Sequence, residues 1–188
     1  MLKLYGGKIS RATIVQWYLE ELGIPYEFVL LDMQAGEHRQ PEFLAINPMG
    51  KVPAIVDGDF TLWESGAILL YLAEKYGKLP QSIEEKSIVY QWVLFANSSL
   101  ATGLFVEANR ERETPKLLSA LEQFLANNSY LMNNEFTVVD VAVGSVLTFA
   151  QFMLKMNFNE YPAVAEYVKR MMERPVFAKV MGQPNPTN

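Results

Sequence analysis

The stretch that decides the fold is NPMGKVPAIVDGDFTLWESGAILLYL, residues 47–72. Its pattern indicates a proline-containing turn, a strand, a polar hairpin and a second strand, followed by an apolar helix that starts at Glu64-Ser65. Backbone groups at Val52 can pair with a peptide-like group, and the amide groups at the helix start favour a carboxylate near Ser65. Glu64 can take an ammonium group. These anchors suit one small, extended ligand that carries both an α-amino and an α-carboxylate group.

The elements around this stretch predict the order βαβ and then ββα, which matches a thioredoxin-like fold. Helix starts and stops are inferred from Ser10, Gly23 and Gly77. The predicted elements are strands at 2–5, 26–31, 52–56 and 60–63, a hairpin at Asp57-Gly58-Asp59, and helices at 11–22 and 65–76.

The composition of residues 77–82 predicts a linker. After it, apolar residues recur with the period of a helix. We expect one extended helix over Ile83–Arg112, bent near Gly103, and another that starts at Thr114-Pro115. A capping signature runs from Thr137 to Asp140. Further features are breaks at 127–128 and 133–134, a separator at 159–162, a helix at 163–173 and a disordered tail at 182–188.

Composition narrows the function classes. The 188 residues are 50% apolar and 20% charged, which is typical of a globular protein. The net charge of −5 and the lack of a Lys/Arg run argue against nucleic-acid binding. The chain has no cysteine and a single histidine, which excludes a disulfide framework or protein thiol and leaves little for zinc. No signal-peptide core or run of about 18 apolar residues stands out, so we expect a cytoplasmic protein without a membrane span.

Three segments resemble the cytosolic glutathione transferase family, in order and at similar spacings. NPMGKVPAI is similar to the family's Asn-Pro-x-Gly-x-Val-Pro segment, whose Val-Pro bond is cis. LWESGAILLYL is similar to the Glu-Ser-x-Ala-Ile-x-x-Tyr-Leu segment that holds the γ-glutamyl end of glutathione. FTVVDVAVGSVL, residues 136–147, resembles the N-capping box of the family's helical domain.

The resemblance implies a glutathione transferase fold with two domains. An α/β thioredoxin-like N-terminal domain over residues 1–76 would bind glutathione, and an all-α C-terminal domain over residues 83–188, after the linker at 77–82, would bind the electrophile. The family is usually dimeric, so a homodimer is implied, with glutathione as co-substrate and no other cofactor. The short helical half is typical of a bacterial or cyanobacterial type, and the Chi class is a candidate.

The resemblance also implies the residues that bind glutathione. Glu64 and Ser65 carry over as the grip on the γ-glutamyl end, with a helix cap beside a strand-end acid as the alternative. Val52 and Pro53 carry over from the cis-proline segment.

Gly36-Glu-His-Arg39 is similar to a Gly-Glu-His-Lys stretch whose basic residues reach the glycine carboxylate. His38 and Arg39 carry over to those positions, and Lys51 could bind the same carboxylate. A solvated loop and a surface lysine are the alternatives.

Thiol activation is the least determined part. A thiolate is the reactive species, and a hydroxyl donor or a cation near the sulfur lowers the thiol pKa from about 8.5. The family uses a Tyr on the first strand, or a Ser or Cys at the first strand–helix junction. The Ser-type position falls on Ile9 or Ser10, and we prefer Ser10, because its hydroxyl would lie at a positive helix end. Arg11 is a plausible assistant and Tyr5 the reserve; a plain cap at Ser10 and a core or rim aromatic at Tyr5 are the alternatives.

The helical half supplies candidates for the second substrate. Ser98, Thr102 and Phe105 could face the sulfur, with ordinary helix packing as the alternative. The implied reaction is attack of glutathione thiolate on a small hydrophobic electrophile, as in a detoxifying glutathione S-transferase. Two rivals remain: a non-catalytic interaction module on the same fold, and an isomerase, dehalogenase or peroxidase reaction. The Glu-Ser pair and the basic loop argue against the module, because a module need not keep a ligand grip.

Overall fold

The computed structural model describes residues 1–132 and 134–181, so the tail expected to be disordered lies outside the described residues. The chain divides into two compact units. The first contains Met1–Tyr76 together with a helix at Pro175–Met181, and the second contains Gly77–Arg174.

The first unit is built on a four-stranded mixed sheet in the order β2-β1-β3-β4. Strand β1 pairs in parallel with β2 and antiparallel with β3, and β3 and β4 form a hairpin whose turn contains Gly58 at φ +64°. The thioredoxin-like order predicted from sequence is confirmed. The elements are β1 (Leu2–Gly6), α1 (Ala12–Leu22), β2 (Tyr26–Leu30), a 3₁₀ turn (Glu37–Arg39), α2 (Pro41–Leu44), β3 (Ala54–Asp57), β4 (Phe60–Trp63) and α3 (Ser65–Lys75).

The end of β1 packs unusually close to the start of α1. A methyl group added at Gly6 would lie 2.5 Å from the Ala12 Cβ and 2.7 Å from the Phe28 Cζ. Glycine at this position therefore lets the strand, the helix and the neighbouring strand β2 meet. The strand–helix junction that follows carries the candidate activating residues.

The second unit is helical throughout its regular structure. Its elements are α4 (Ile83–Phe95), a π-helical segment (Ala96–Leu100), α5 (Ala101–Phe105), α6 (Glu107–Leu125), α7 (Val138–Leu154) and α8 (Pro162–Met172).

The predicted helix from Ile83 to Arg112 is wrong at its C-terminal end. Val106 is extended, with φ −83° and ψ 111°, and α6 begins at Glu107 and continues through Pro115. Pro115 has no amide hydrogen to donate to the Glu111 carbonyl. Because both residues are exposed, water can donate to that carbonyl instead. Gly103 does not mark a bend; a methyl group there would lie 2.3 Å from the Leu117 Cδ1, so it allows close packing of α6.

The capping box predicted at Thr137 is confirmed. The Thr137 side chain accepts from the Val139 amide at 3.2 Å, and the Asp140 carboxylate accepts from the Thr137 amide at 2.8 Å. Asp140 is fully buried, and the Tyr167 hydroxyl donates to it at 3.0 Å. Burial raises the pKa of Asp140, against the hydrogen bonds that favour its charged form. The residue fixes the start of α7, the most deeply buried helix of this unit.

The last described helix, α9 (Pro175–Met181), packs on α1. The rings of Trp17 and Phe177 meet edge to face with centroids 5.1 Å apart, and the Lys179 Nζ lies 2.6 Å from a Glu20 carboxylate oxygen. The sequence analysis assigned these residues to the helical domain, whereas their contacts are with the first unit.

By length and apolar composition alone, the helical run from Ile83 to Phe105 is the one stretch of the described residues that could cross a membrane. The core helix of a soluble protein passes the same test, and 39% of the most apolar window of this run is buried. Val89, Val93 and Leu100 are among its buried side chains. The composition is therefore weak evidence for a span.

Candidate active site

The Ser10 hydroxyl lies in the junction between β1 and α1 and contacts three backbone groups. It accepts from the Gly7 amide at 3.1 Å and from the Ala12 amide at 3.3 Å, and it donates to the Gly7 carbonyl at 3.2 Å. The helix begins at Ala12, one residue later than expected. Ser10 thus closes the loop and also lies at the amide end of α1, as the choice of Ser10 over Ile9 requires.

The hydrogen bond that the Ser10 hydroxyl donates is the weak part of this arrangement. Hydroxyl-to-oxygen hydrogen bonds are usually about 2.5–3.0 Å long, so the bond of 3.2 Å to the Gly7 carbonyl is a poor one. Two amides donate to the same oxygen, which polarises the hydroxyl and makes it a better donor. A stronger acceptor such as a thiolate can therefore replace the Gly7 carbonyl at little cost.

Ile9, the other residue at the Ser-type position, has a side chain that is 90% exposed and offers no donor. Tyr5 is half-buried on β1, and its ring packs on Phe43 with centroids 5.8 Å apart. Tyr5 and Phe43 line a cavity of about 390 Å³, and Ile46 is also part of its lining. Tyr5 is thus a half-buried aromatic residue beside this cavity.

Arg11 links the junction to the start of α3. Partial loss of hydration at its guanidinium lowers the pKa of Arg11, and the negative charge of Glu64 opposes this shift. The group stays charged, because an arginine pKa begins above about 12. The charge of Glu64, beside Ser65, thus acts on Arg11, beside Ser10.

The proline turn is held from inside by Asn47. This side chain is buried; it donates to the Lys51 carbonyl at 2.7 Å and accepts from the Met49 amide at 3.0 Å. The Val52-Pro53 bond is cis, as the resemblance implied. The paired part of β3 begins at Ala54, two residues later than predicted, so the sheet ladder does not use the backbone of Val52.

The basic loop lies against the same turn. His38 and Arg39 sit in the 3₁₀ turn, and a methyl group added at Gly50 would lie 3.1 Å from the His38 carbonyl oxygen. Lys51 follows directly, and both Arg39 and Lys51 are exposed. Three basic side chains therefore belong to this loop and the turn against which it lies.

One ring nitrogen of His38, Nδ1, is buried without a hydrogen-bond partner among the described residues. A buried ring nitrogen without a partner is unfavourable whether it carries the proton or not. The sequence identifies His38 as a candidate but gives no sign of this constraint.

Glu64 has a strained backbone. Its φ is +71° and its ψ is 118°, a conformation that non-glycine residues rarely adopt, and it precedes the first residue of α3. Glu64 is exposed, whereas Ser65 is 3% exposed and opens the helix. Sequence reasoning missed the strain, because no glycine or asparagine marks the position.

The candidate electrophile residues belong to the second unit. Ser98 and Thr102 are exposed, and Phe105 is partly buried at the end of α5. Ser98 lies in the π-helical segment, where the Asn97 side chain donates to the Val93 carbonyl at 3.0 Å. Sequence reasoning missed this segment, which is of a kind that recurs at functional sites.

Metal binding has no support within residues 1–132 and 134–181, where no group of three or more His, Asp or Glu side chains is placed to hold an ion.

Comparisons with known proteins agree with this arrangement. The family model described as "Glutathione S-transferase, N-terminal domain" matches residues 1–74, and the one described as "Glutathione S-transferase, C-terminal domain" matches residues 95–182. Glutathione S-transferase 3 of Zea mays is 33% identical over an alignment 206 positions long, gaps included, which covers 96% of this chain and 93% of that protein. Glutathione S-transferase F6 of Arabidopsis thaliana is 32% identical over an alignment 208 positions long, gaps included, which covers 96% of this chain and 99% of that protein.

Solved structures show the same likeness. A glutathione transferase of Burkholderia graminis, with two glutathione molecules bound per subunit, has a TM-score of 0.85 and 27% identity, covering 99% of this chain and 89% of that one. The glutathione transferase URE2P6 of Phanerochaete chrysosporium, in complex with oxidised glutathione, has a TM-score of 0.82 and 32% identity, covering 97% and 96%. This chain therefore belongs to the glutathione S-transferase family.

Proposed function

We propose that this protein conjugates reduced glutathione to small hydrophobic electrophiles. The observation that carries the proposal is the strained Glu64 beside the buried Ser65 at the start of α3. Such a backbone conformation costs about 1–3 kcal/mol and tends to be retained at ligand clamps. A plain helix cap would need no such strain, so a bound ammonium and carboxylate explain it better.

Glutathione would lie extended across the first unit. Its γ-glutamyl ammonium pairs with Glu64, and its α-carboxylate takes the hydroxyl and amide at Ser65, where the helix end is positive. The backbone of Val52, ahead of the cis Pro53, pairs with the cysteinyl peptide group.

The glycine end of glutathione would meet the basic edge. The carboxylate there takes the Nε2 proton of His38 and the charges of Arg39 and Lys51. Both cations are exposed, so their attraction weakens with salt.

Ser10 would activate the thiol. Its hydroxyl exchanges the Gly7 carbonyl for the glutathione sulfur and so favours the thiolate, while Arg11 adds positive potential. The thiol proton leaves to solvent as the thiolate forms. The thiolate then forms a carbon–sulfur bond with the electrophilic carbon; in a substitution the bond to the leaving group breaks and that group departs with the electron pair, and in an addition the electron pair of the activated double bond takes up a proton from solvent. Tyr5 remains the reserve donor.

Ser98, Thr102 and Phe105 would bind the electrophile. We also propose a homodimer in the cytoplasm; the absence of cysteine fits a reducing compartment.

Calorimetry with reduced glutathione tests the grip. Ser65→Ala should weaken binding by about 1.5–3 kcal/mol, the range for a hydrogen bond to a charged group. Ser82→Ala is the matched control, because Ser82 also begins a helix, capping the Glu85 amide at 3.2 Å in the other unit, and should bind normally. Equal affinity for both variants and the wild type would refute the assignment.

A panel of electrophiles assayed with glutathione tests turnover. Binding that is lost in Ser65→Ala, with no conjugation of any electrophile by the wild type, would instead indicate the non-catalytic interaction module.

A further inference from the structure

Met33 covers the loop that carries Ser10. A methyl group added at Gly7 would lie 2.6 Å from the Met33 Cγ and 3.3 Å from its Sδ, so the methionine side chain packs directly on Gly7. The amide and carbonyl of Gly7 are in turn partners of the Ser10 hydroxyl, at 3.1 and 3.2 Å. A movement of Gly7 would therefore move the hydroxyl.

The backbone around Met33 is fixed on both sides. The Leu31 amide donates to the Gly6 carbonyl at 2.8 Å, which extends the pairing of β2 with β1. The Asp32 amide donates to the Glu37 carboxylate at 2.7 Å. The Asp32 carboxylate accepts from the amides of the two residues after Met33, each at 2.9 Å. Met33 is thus presented to Gly7 from a rigid segment and not from a loose loop.

We propose that Met33 is a positioning residue for thiol activation, which rests on the role proposed for Ser10. Its side chain fills the space beside Gly7. Glycine has no side chain of its own that could hold the loop in place, so the contact with Met33 does so. With the loop held, the Ser10 oxygen keeps its two amide donors and aims its proton at the sulfur. Without the thioether chain, Gly7 gains room to move, and the hydroxyl samples positions in which it does not reach the sulfur.

The selectivity of the proposed effect separates it from plain packing. Met33 contacts the activating loop through Gly7, whereas the proposed γ-glutamyl grip lies at Glu64 and Ser65. We therefore expect Met33→Ala to raise the pKa of bound glutathione thiol and lower kcat about threefold to tenfold, the change that half to one pKa unit brings. The Kd for glutathione should stay within about twofold.

Thiolate absorbance of the glutathione complex, followed against pH, gives the bound-thiol pKa for each variant. Met33→Leu fills most of the same space and should restore the wild-type pKa and kcat. Met156→Ala, which removes another partly buried methionine in the second unit, should change neither. Circular dichroism of each variant reports whether the fold is kept; if Met33→Ala does not fold, Met33→Val, which also lacks the outer part of the methionine chain, gives the same test and should raise the pKa.

The double variant Ser10→Ala with Met33→Ala separates the two proposals. If Met33 acts through Ser10, the double variant should have the bound-thiol pKa of Ser10→Ala alone. A pKa raised by Ser10→Ala but not by Met33→Ala would overturn the role of Met33 and leave that of Ser10. A further rise in the double variant would also overturn it. An unchanged pKa in Ser10→Ala would overturn the role of Ser10 itself, and the role of Met33 with it.

Discussion

At the scale of single residues, the position of Ser10 depends on how closely β1 approaches α1 at Gly6. A β-carbon at this position would overlap Ala12 at 2.5 Å and Phe28 at 2.7 Å. Gly6→Ala should therefore destabilise the fold by about 1–3 kcal/mol, as overpacking of a core does. Urea unfolding measures this loss. Adding Ala12→Gly removes one of the two overlaps and should recover part of the stability; no recovery would show that the contact with Ala12 is not the cause.

Arg39 gives a second prediction at this scale. Its proposed contact with the glycine carboxylate is made equally in the ground and transition states, so Arg39→Ala should raise KM for glutathione and leave kcat unchanged. The side chain is exposed and screened, so the rise should be about threefold to tenfold and should shrink with added salt. Initial-rate kinetics measures both constants. Arg112→Ala, on α6, is the control, and a loss confined to kcat would contradict the proposal.

Sequence predicts single-residue roles where chemistry and spacing coincide. Glu64 and Ser65 could be selected in this way, because an acidic or polar side chain at a helix start suggests a ligand, whereas His38 was selected from the family resemblance of its loop. The positive φ of Glu64 and the buried Nδ1 of His38 could not be predicted, because they depend on packing that brings distant segments together. The contact between Met33 and Gly7 is of the same kind.

At the scale of elements, the four strands and the helices α1 and α3 of the first unit could be predicted to within about two residues, because periodicity and glycine agree there. The short helix α2 and the helix α9 were not predicted. The break in the helix at Val106 could not be predicted from the sequence. An extended valine has no local signal, and Thr114-Pro115 supplied a false one, because proline is common at helix starts. The close contact between Gly103 and Leu117 of α6, which accompanies the break, has no signal in the sequence either.

The attachment of α9 to α1 gives a prediction about pH. The hydrogen bond from Lys179 is the main cause that lowers the pKa of Glu20 below its ordinary value of 4.5, and the Tyr26 hydroxyl adds to it. A carboxylate whose pKa is lower in the folded state stabilises the fold above its unfolded pKa, and this gain is lost as the pH falls through the folded pKa.

Lys179→Met should therefore reduce the free energy of unfolding near neutral pH, by less than about 1 kcal/mol for a pair this exposed. The difference from wild type should disappear in acid well below pH 4.5, where Glu20 is protonated. Urea unfolding across this range measures it. Lys78→Met is the control, since Lys78 is exposed and has no ion pair among the described residues, and a difference that grows in acid would contradict the assignment.

At the scale of the whole molecule, the question is which surface would join two copies. Phe124 on α6 is 54% exposed, although its ring packs on the nearly buried Trp92 with centroids 5.1 Å apart. Phe95 packs on the same indole at 5.6 Å, and Ile88, one turn before Trp92 on α4, is 44% exposed. A contiguous apolar patch of this kind is more typical of an interface than of a surface that stays in water.

We expect a homodimer in solution that uses this patch of Ile88, Phe95 and Phe124. Sedimentation equilibrium should give a mass near twice the 21.3 kDa of one chain. Phe124→Glu should shift the protein towards monomer, because a charge at the centre of an apolar interface must be desolvated without a partner. Phe152→Glu is the matched control, because Phe152 is similarly exposed, at 47%, but lies on α7 outside the patch. A wild-type monomer, or a dimer that dissociates with Phe152→Glu and not with Phe124→Glu, would show that this patch does not join the subunits.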